Sequence, residues 1–106
     1  MVEELSPAGY LSLQQDGELW QLVDVRESWE TEIAAIDGAL HIPMSEIPAR
    51  YRELDAAKPV ALLCHSGARS ARVAGFLAQQ GFSRVANISG GIDQWSVEID
   101  PAIPRY

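Results

Sequence analysis

The chain has 106 residues, is 47% hydrophobic, and carries 8 basic against 15 acidic side chains for a formal net charge of −7. This length leaves room for one domain over residues 1–106, with enough apolar side chains for one packed core. The acidic balance argues against nucleic acid or an anionic membrane as the partner, and no apolar run approaches the roughly 18 residues of a membrane span.

The first part of the chain is predicted to supply an edge strand, a covering helix and one longer strand. Residues 3–5 favour a very short edge strand. Ser6 and Pro7 begin a helix, because serine caps helices well and proline fits the first helical position. Residues 19–25 form an apolar run that predicts a buried strand, with Asp24 at its carboxyl end.

Asp24 and Arg26 are candidate supporting residues, because ligand sites in open parallel sheets form at the carboxyl ends of strands. They lie near Cys64 if their strand neighbours the strand that ends there. A structural interpretation competes and is the one we favour: Asp24 caps the following helix or holds an ion pair, and Arg26 forms an ion pair. Contact between Arg26 and a substrate stays open.

The middle of the chain is predicted to hold two helices and a short strand. Residues 28–36 favour a helix whose Trp29 packs in the core, since large aromatic side chains are usually buried. Residues 39–42 favour a short strand, in which His41 is expected to be a hydrogen-bonded structural residue rather than a metal ligand or base. Residues 46–54 favour a helix.

The only cysteine stands where a buried strand is predicted to end and a helix to begin. Residues 60–64 are a short apolar run typical of a parallel sheet, and residues 70–80 have helical periodicity up to Gly81. The loop between them consists of four residues of modest size: His65, Ser66, Gly67 and Ala68.

Such a junction favours a reactive sulfur anion. Successive backbone N–H groups in a small-residue loop form an anion cradle, and the helix N-terminus adds positive potential, so we expect the pKa of the Cys64 thiol to be lowered. Arg69 adds a fixed charge, unless an internal ion pair with Glu27 or Asp24 holds it. The Ser66 and Ser70 hydroxyls are candidate donors to the sulfur, although Ser70 fits a helix cap equally well. His65 is expected to point out of the loop.

The last part of the chain is predicted to close the same edge of the sheet. Residues 84–88 favour a buried strand, and residues 89–91 (Ser-Gly-Gly) form a tight loop that can wall the Cys64 pocket. A helix over 92–98 follows, packed down by Trp95, and residues 99–106 form an irregular tail. Strands that alternate with helices predict an α/β fold with a parallel sheet of about five strands and helices on both faces.

Cysteine usage and the N-terminus bear on the compartment. A single cysteine excludes an intramolecular disulfide, and a free reactive thiol suits a reducing environment. Residues 1–7 lack the basic start and apolar stretch of a signal peptide, so we expect a cytoplasmic protein.

Four motifs stand in order along the chain: LVDVRE at 22–27, GALHIP at 38–43, LLCHSGARSA at 62–71 and SGGIDQW at 89–95. Together they resemble the rhodanese (thiosulfate sulfurtransferase) family, and the resemblance covers about residues 5–95. The resemblance implies a three-layer α/β/α rhodanese-like fold. It also implies that Cys64 takes the outer sulfur of a donor such as thiosulfate as a persulfide, which the loop residues 65–70 hold, and passes it to a thiophilic acceptor.

Two other protein classes share parts of this pattern. Cysteine phosphatases and arsenate reductases resemble it, but their loops place five residues between cysteine and arginine, and this chain has four. Rhodanese-like domains also serve as non-catalytic binding or regulatory modules, which usually lack the cysteine. We therefore expect a monomeric sulfurtransferase without metal or organic cofactor. Its partners would be a small-molecule sulfur donor and an acceptor that is cyanide, a small thiol or a protein thiol.

Overall fold

Five short segments form one parallel sheet. The structure is a computed structural model that describes residues 2–106. Its strands are β1 (Val2–Leu5), β2 (Gln21–Asp24), β3 (Leu40–His41), β4 (Val60–Leu63) and β5 (Val85–Ile88). They lie in the order β1-β5-β4-β2-β3, with every neighbouring pair parallel, which confirms the predicted sheet and its short edge strand.

Helices cover both faces of the sheet and make the fold the expected three-layer α/β/α arrangement. They are α1 (Pro7–Gln15), α2 (Ser28–Ile33), α3 (Ile47–Arg50), α4 (Ala68–Gln79) and α5 (Gly91–Glu98). Ser6 caps α1 as predicted, because its side chain accepts a hydrogen bond from the Gly9 N–H at 3.0 Å.

The sheet separates two apolar clusters, because successive strand residues point to opposite faces. On β4, Ala61 and Leu63 pack in the cluster with α1 and α5, to which Trp95 contributes as predicted. Val60 and Leu62 pack in the cluster that α3 and α4 cover. All four strand side chains are fully buried, so the strand that leads to the candidate site is fixed on both sides.

The helix predicted over residues 28–36 ends at Ile33, and the prediction that Trp29 packs in the core is wrong. Ala34 already has an extended backbone, and its carbonyl accepts a hydrogen bond from the buried Arg26 guanidinium at 2.7 Å. Glu30 is the side chain that α2 buries. Its neighbour Trp29 is therefore turned outward, 58% exposed, with its ring edge against Tyr106.

The helix predicted over residues 46–54 is divided into shorter pieces. A 3-10 turn at Met44–Glu46 precedes α3, and a second 3-10 turn, Tyr51–Glu53, follows it. Pro48 lies in the first turn of α3, where its missing N–H is tolerated. Ile47 and Leu54 are buried nonetheless, so this segment still closes one face of the sheet.

Three carboxyl ends of strands meet at one edge of the sheet. β4 lies between β2 and β5, with Asp24 opposite Leu63 and Leu62 opposite Asn87. Cys64 directly follows β4, so it lies at the centre of this edge. Within residues 2–106, no helix is both long and apolar enough to cross a bilayer.

Candidate active site

Cys64 is held under a tight turn between β4 and α4. Its side chain is almost fully buried, at 1% exposure. Gly67 has a left-handed backbone at φ 102°, which glycine adopts without strain, and its N–H donates to the Cys64 sulfur at 3.1 Å. The helix begins at Ala68, two residues earlier than predicted, with Gly67 as its N-cap.

Ser70 therefore lies inside the first turn of α4, and the prediction that it could cap the helix is wrong. Its hydroxyl lies 3.3 Å from the Cys64 sulfur and 2.5 Å from the side-chain oxygen of Asn87. Asn87 in turn donates to the Gly67 carbonyl at 3.1 Å. The amide thus braces both the turn and the hydroxyl that contacts the sulfur.

Two opposing effects set the pKa of the Cys64 thiol. Burial by itself raises this pKa, because a thiolate loses its hydration. Hydrogen bonds from the Ser70 hydroxyl and from the backbone N–H groups of Ser70, Gly67 and Ser66 outweigh burial and lower the pKa below the usual thiol value. The loop therefore favours an anionic sulfur, as the sequence predicted.

The start of α5 fixes the other side of the loop. The Ile92 N–H donates to the Cys64 carbonyl at 2.8 Å, and the Asp93 N–H donates to the His65 carbonyl at 3.1 Å. Gly91 has φ 59°, and a Cβ built there would lie only 2.4 Å from the Cys64 carbonyl oxygen. The glycine loop therefore packs directly against the Cys64 loop, because only glycine permits this approach.

Arg69 forms the internal ion pair that competed with a substrate role, but with a different partner. Its two terminal nitrogens donate to the two carboxylate oxygens of Glu30 at 2.6 and 2.8 Å, and neither Glu27 nor Asp24 pairs with it. The hydrogen bonds from Arg69 lower the pKa of Glu30 to about 2, against the opposing effect of burial. Glu30 is therefore charged at any ordinary pH.

Asp24 and Arg26 form the buried ion pair that the structural interpretation expected. The shortest contact joins Arg26 Nη2 to an Asp24 oxygen at 2.6 Å, and Arg26 is fully buried. The other donors of this guanidinium end on the Glu30 and Ala34 carbonyls and on the Tyr106 hydroxyl. No donor is left for a substrate, so this pair supports the architecture beneath the site.

The outer surface of the loop meets the C-terminal tail. His65 is half-buried and points out of the loop, where its ring stacks on Tyr106 with centroids 4.2 Å apart. The Tyr106 hydroxyl donates to Glu30 at 2.7 Å. Ser66 and Ala68 are exposed. Of the loop residues 65–68, Ser66 and Ala68 therefore face solvent, whereas His65 is held by Tyr106 and Gly67 by Asn87.

The sequence did not single out Glu30, Asn87 or Tyr106. Asn87 had a usable signal, since it is the one polar residue in the otherwise apolar strand β5. Glu30 had a weaker one, as an acidic residue in the first turn of a helix near the carboxyl edge of the sheet. Tyr106 had none, because nothing in an irregular tail predicts where its last side chain docks.

His41 has the structural role that was expected. Its Nε2 lies 2.6 Å from the Arg26 carbonyl oxygen, and the ring is half-buried. Within residues 2–106, no three histidine, cysteine, aspartate or glutamate side chains lie close enough together to hold a metal ion.

Comparisons with known proteins identify the family of this chain. The family described as the rhodanese-like domain matches residues 7–98. The chain belongs to this family. This rhodanese-like chain is 38% identical over 96 residues to a sulfurtransferase of Allochromatium vinosum, covering 91% of the chain and 90% of that protein. It is 39% identical over 101 residues to the putative sulfurtransferase YtwF of Bacillus subtilis, covering 94% and 96%.

The fold agrees with that assignment. A rhodanese-related protein of Thermoplasma volcanium matches with a TM-score of 0.84 at 28% identity, covering 98% of this chain and 99% of that one. Two other curated relatives are longer, and the rhodanese-like chain spans 30% of one and 51% of the other. The family match and the fold comparison therefore agree on a rhodanese-like domain.

Proposed function

We propose that this rhodanese-like chain transfers sulfane sulfur through a persulfide on Cys64. One observation carries the proposal. The Cys64 sulfur lies at the start of α4 with the Gly67 N–H at 3.1 Å and the Ser70 hydroxyl at 3.3 Å, donors that stabilise a sulfur anion. The sulfurtransferase relatives add support for this class of chemistry.

The first step of the proposed reaction loads the enzyme. The Cys64 thiolate attacks the outer sulfur of a donor such as thiosulfate, and an S–S bond forms between them. The bond between the two donor sulfurs breaks, and sulfite leaves with the electron pair. The product is a persulfide anion, whose terminal charge the N–H groups of residues 65–70 would hold.

The second step returns the enzyme to its starting state. A thiophilic acceptor, cyanide or a thiol, attacks the terminal persulfide sulfur, and the Cys64 thiolate leaves. With cyanide the product is thiocyanate. No oxidant enters either step, and the enzyme alternates between a free and a sulfur-loaded form, which is ping-pong covalent catalysis.

Two alternatives fit the structure less well. A non-catalytic binding module has no use for a buried thiol whose pKa is lowered by four donors. A cysteine phosphatase or arsenate reductase needs a loop wide enough for a tetrahedral oxyanion, and here only four residues separate Cys64 from Arg69. A phosphatase also needs a general acid for the leaving oxygen, and Asp24 is committed to Arg26.

Persulfide formation is the test of the proposed function. The reduced protein is incubated with excess thiosulfate, desalted, and weighed by mass spectrometry beside Cys64→Ser, which keeps a polar side chain of similar size. We expect the mass of one sulfur atom on the wild type alone, removed by cyanide. Since Cys64 is the only cysteine, the mass identifies its site. A wild-type thiol that alkylates readily but takes no sulfur from thiosulfate or an organic persulfide would refute the proposal.

A further inference from the structure

Three arginines near the Cys64 loop, Arg26, Arg69 and Arg105, are each held in an ion pair. Arg69 is bound at both terminal nitrogens by Glu30, and Arg26 is paired with Asp24 below it. At the start of α5, Asp93 is paired with Arg105. The whole chain adds a net charge of −7. The positive potential that remains at the sulfur comes from backbone N–H groups and the N-terminus of α4.

Such a potential is suited to one negative charge, that of the thiolate or persulfide sulfur. A dianion such as thiosulfate brings a second charge that lies outside the backbone cradle. The arginine of the loop, Arg69, lies in the first turn of α4, and Glu30 offsets its charge at 2.6 Å. From the sequence alone, Arg69 is the residue expected to attract an anionic donor. Because Glu30 binds both terminal nitrogens of Arg69, that electrostatic attraction is cancelled.

The Glu30 carboxylate is buried and held in place by several donors. Its side chain is 3% exposed, and it accepts hydrogen bonds from Arg69, from the Tyr106 hydroxyl and from the Glu27 backbone N–H. Since its pKa is held at about 2, the carboxylate remains charged at neutral and mildly acidic pH. The cancellation of Arg69 is therefore permanent in this structure.

We propose that Glu30 sets the charge selectivity of the Cys64 site, by neutralising Arg69, so that the site favours sulfur donors without net negative charge over dianionic donors. For its natural substrate this inference rests on the proposed function. For the electrostatic potential at Cys64, the inference does not depend on the proposed function, because any reagent that approaches the thiolate experiences the same potential. Glu30 acts through Arg69 and is a positioning residue, without contact to the reacting sulfur.

Glu30→Gln is the variant that tests the inference. Glutamine serves at the third position of a capping box as glutamate does, and its oxygen can still accept from Arg69. Glu32→Gln is the matched control, because Glu32 lies on the same helix, is exposed and loses the same charge. The measurement is the ratio of Cys64 alkylation rates with iodoacetate, an anion, and iodoacetamide, its neutral analogue.

We expect Glu30→Gln to raise the iodoacetate-to-iodoacetamide ratio by roughly 3- to 10-fold over wild type at low salt, and the gain to shrink at high salt. Glu32→Gln should leave the ratio within a factor of about two of wild type, since an exposed charge is screened. A double variant, Glu30→Gln with Arg69→Gln, removes both charges and should return the ratio close to wild type. A purely structural role for Glu30 would not give that reversal.

Sulfur loading then separates this inference from the proposed function. With thiosulfate and cyanide, we expect Glu30→Gln to lower the KM for thiosulfate by a similar factor, while the alkylation rate with neutral iodoacetamide changes less. A raised alkylation ratio without any sulfur transfer in either protein would support the charge selectivity and refute thiosulfate as a donor. A ratio equal in wild type, Glu30→Gln and the double variant would overturn the inference, provided that circular dichroism shows all three folded.

Discussion

Ser70 has one hydroxyl hydrogen and two acceptors within reach, the Cys64 sulfur at 3.3 Å and the Asn87 oxygen at 2.5 Å. When Cys64 is a thiol, its S–H can donate to the Ser70 oxygen while Ser70 donates to Asn87. When Cys64 is ionised, the Ser70 hydrogen must turn to the sulfur. The free energy of ionising Cys64 therefore includes the loss of the Ser70–Asn87 hydrogen bond. The backbone N–H groups of Ser66, Gly67 and Ser70 offset this cost by stabilising the thiolate.

Ser70→Ala should raise the pKa of Cys64, because the thiolate loses its one side-chain donor while burial stays the same. At pH values below the pKa of Cys64, the rate of alkylation by iodoacetamide should fall by about fivefold, which corresponds to a hydrogen bond worth ~1 kcal/mol. The pH profile of that rate measures the pKa directly. Ser66→Ala is the control, because the Ser66 side chain is exposed and only its backbone N–H acts on the sulfur. Identical profiles for the two variants would exclude Ser70 as a donor.

Among the elements, α5 has the closest contact with the Cys64 loop. Its first N–H groups bind the carbonyls of Cys64 and His65, so the helix holds the loop in the shape that directs the loop's own N–H groups toward the sulfur. Gly91 makes this approach possible, with a positive φ and no room for a side chain. A glycine elsewhere in the helices, Gly75 in α4, has no atom within 4 Å of a built Cβ.

Gly91→Ala should separate α5 from the loop, because its Cβ would meet the Cys64 carbonyl oxygen at 2.4 Å. We expect the free energy of unfolding to fall by about 2 kcal/mol or more, from strain at a positive φ and the lost contacts. Gly75→Ala should be neutral or stabilising by up to ~1 kcal/mol, since alanine is the better helix former. Urea unfolding of both variants measures the difference, and equal stabilities would contradict the role given to Gly91.

The sequence predicted the elements better than it predicted their contacts. The order of strands and helices, the position of Cys64 and the glycine loop followed from apolar runs and punctuation by glycine and proline. The length of α2 did not, because the buried guanidinium of Arg26 takes the Ala34 carbonyl. The predicted partner of Arg69 was also wrong, since charge pairing depends on which face of α2 turns inward. Trp29 and Glu30 are adjacent in the helix and point in different directions, and the structure buries Glu30.

Over the whole molecule, Glu30 joins segments that are distant in the chain. It lies on α2, binds Arg69 on α4, and accepts from Tyr106, whose hydroxyl also accepts from Arg26 after β2. The ionisation of Glu30 is therefore linked to the packing of α2 against α4 and to the docking of the tail through Tyr106. A carboxylate with such partners contributes to stability only while it is charged.

The free energy of unfolding should fall on acidification, with a large share from Glu30. Its folded pKa of about 2 lies below the ordinary glutamate value of about 4.3, so its contribution is complete above about pH 5 and is lost as the pH falls toward 2. Glu30→Gln should be less stable than wild type at pH 7, by up to about 2 kcal/mol, and the gap should close on acidification.

Urea unfolding at pH 7, 5, 4 and 3 measures this gap. Glu32→Gln should follow the wild-type curve at every pH, because the exposed Glu32 side chain has no partner among the described ion pairs. If Glu30→Gln instead kept a constant difference from wild type across this range, its effect would come from lost packing. The carboxylate would then not be the group that couples the tail and α4 to the folded state.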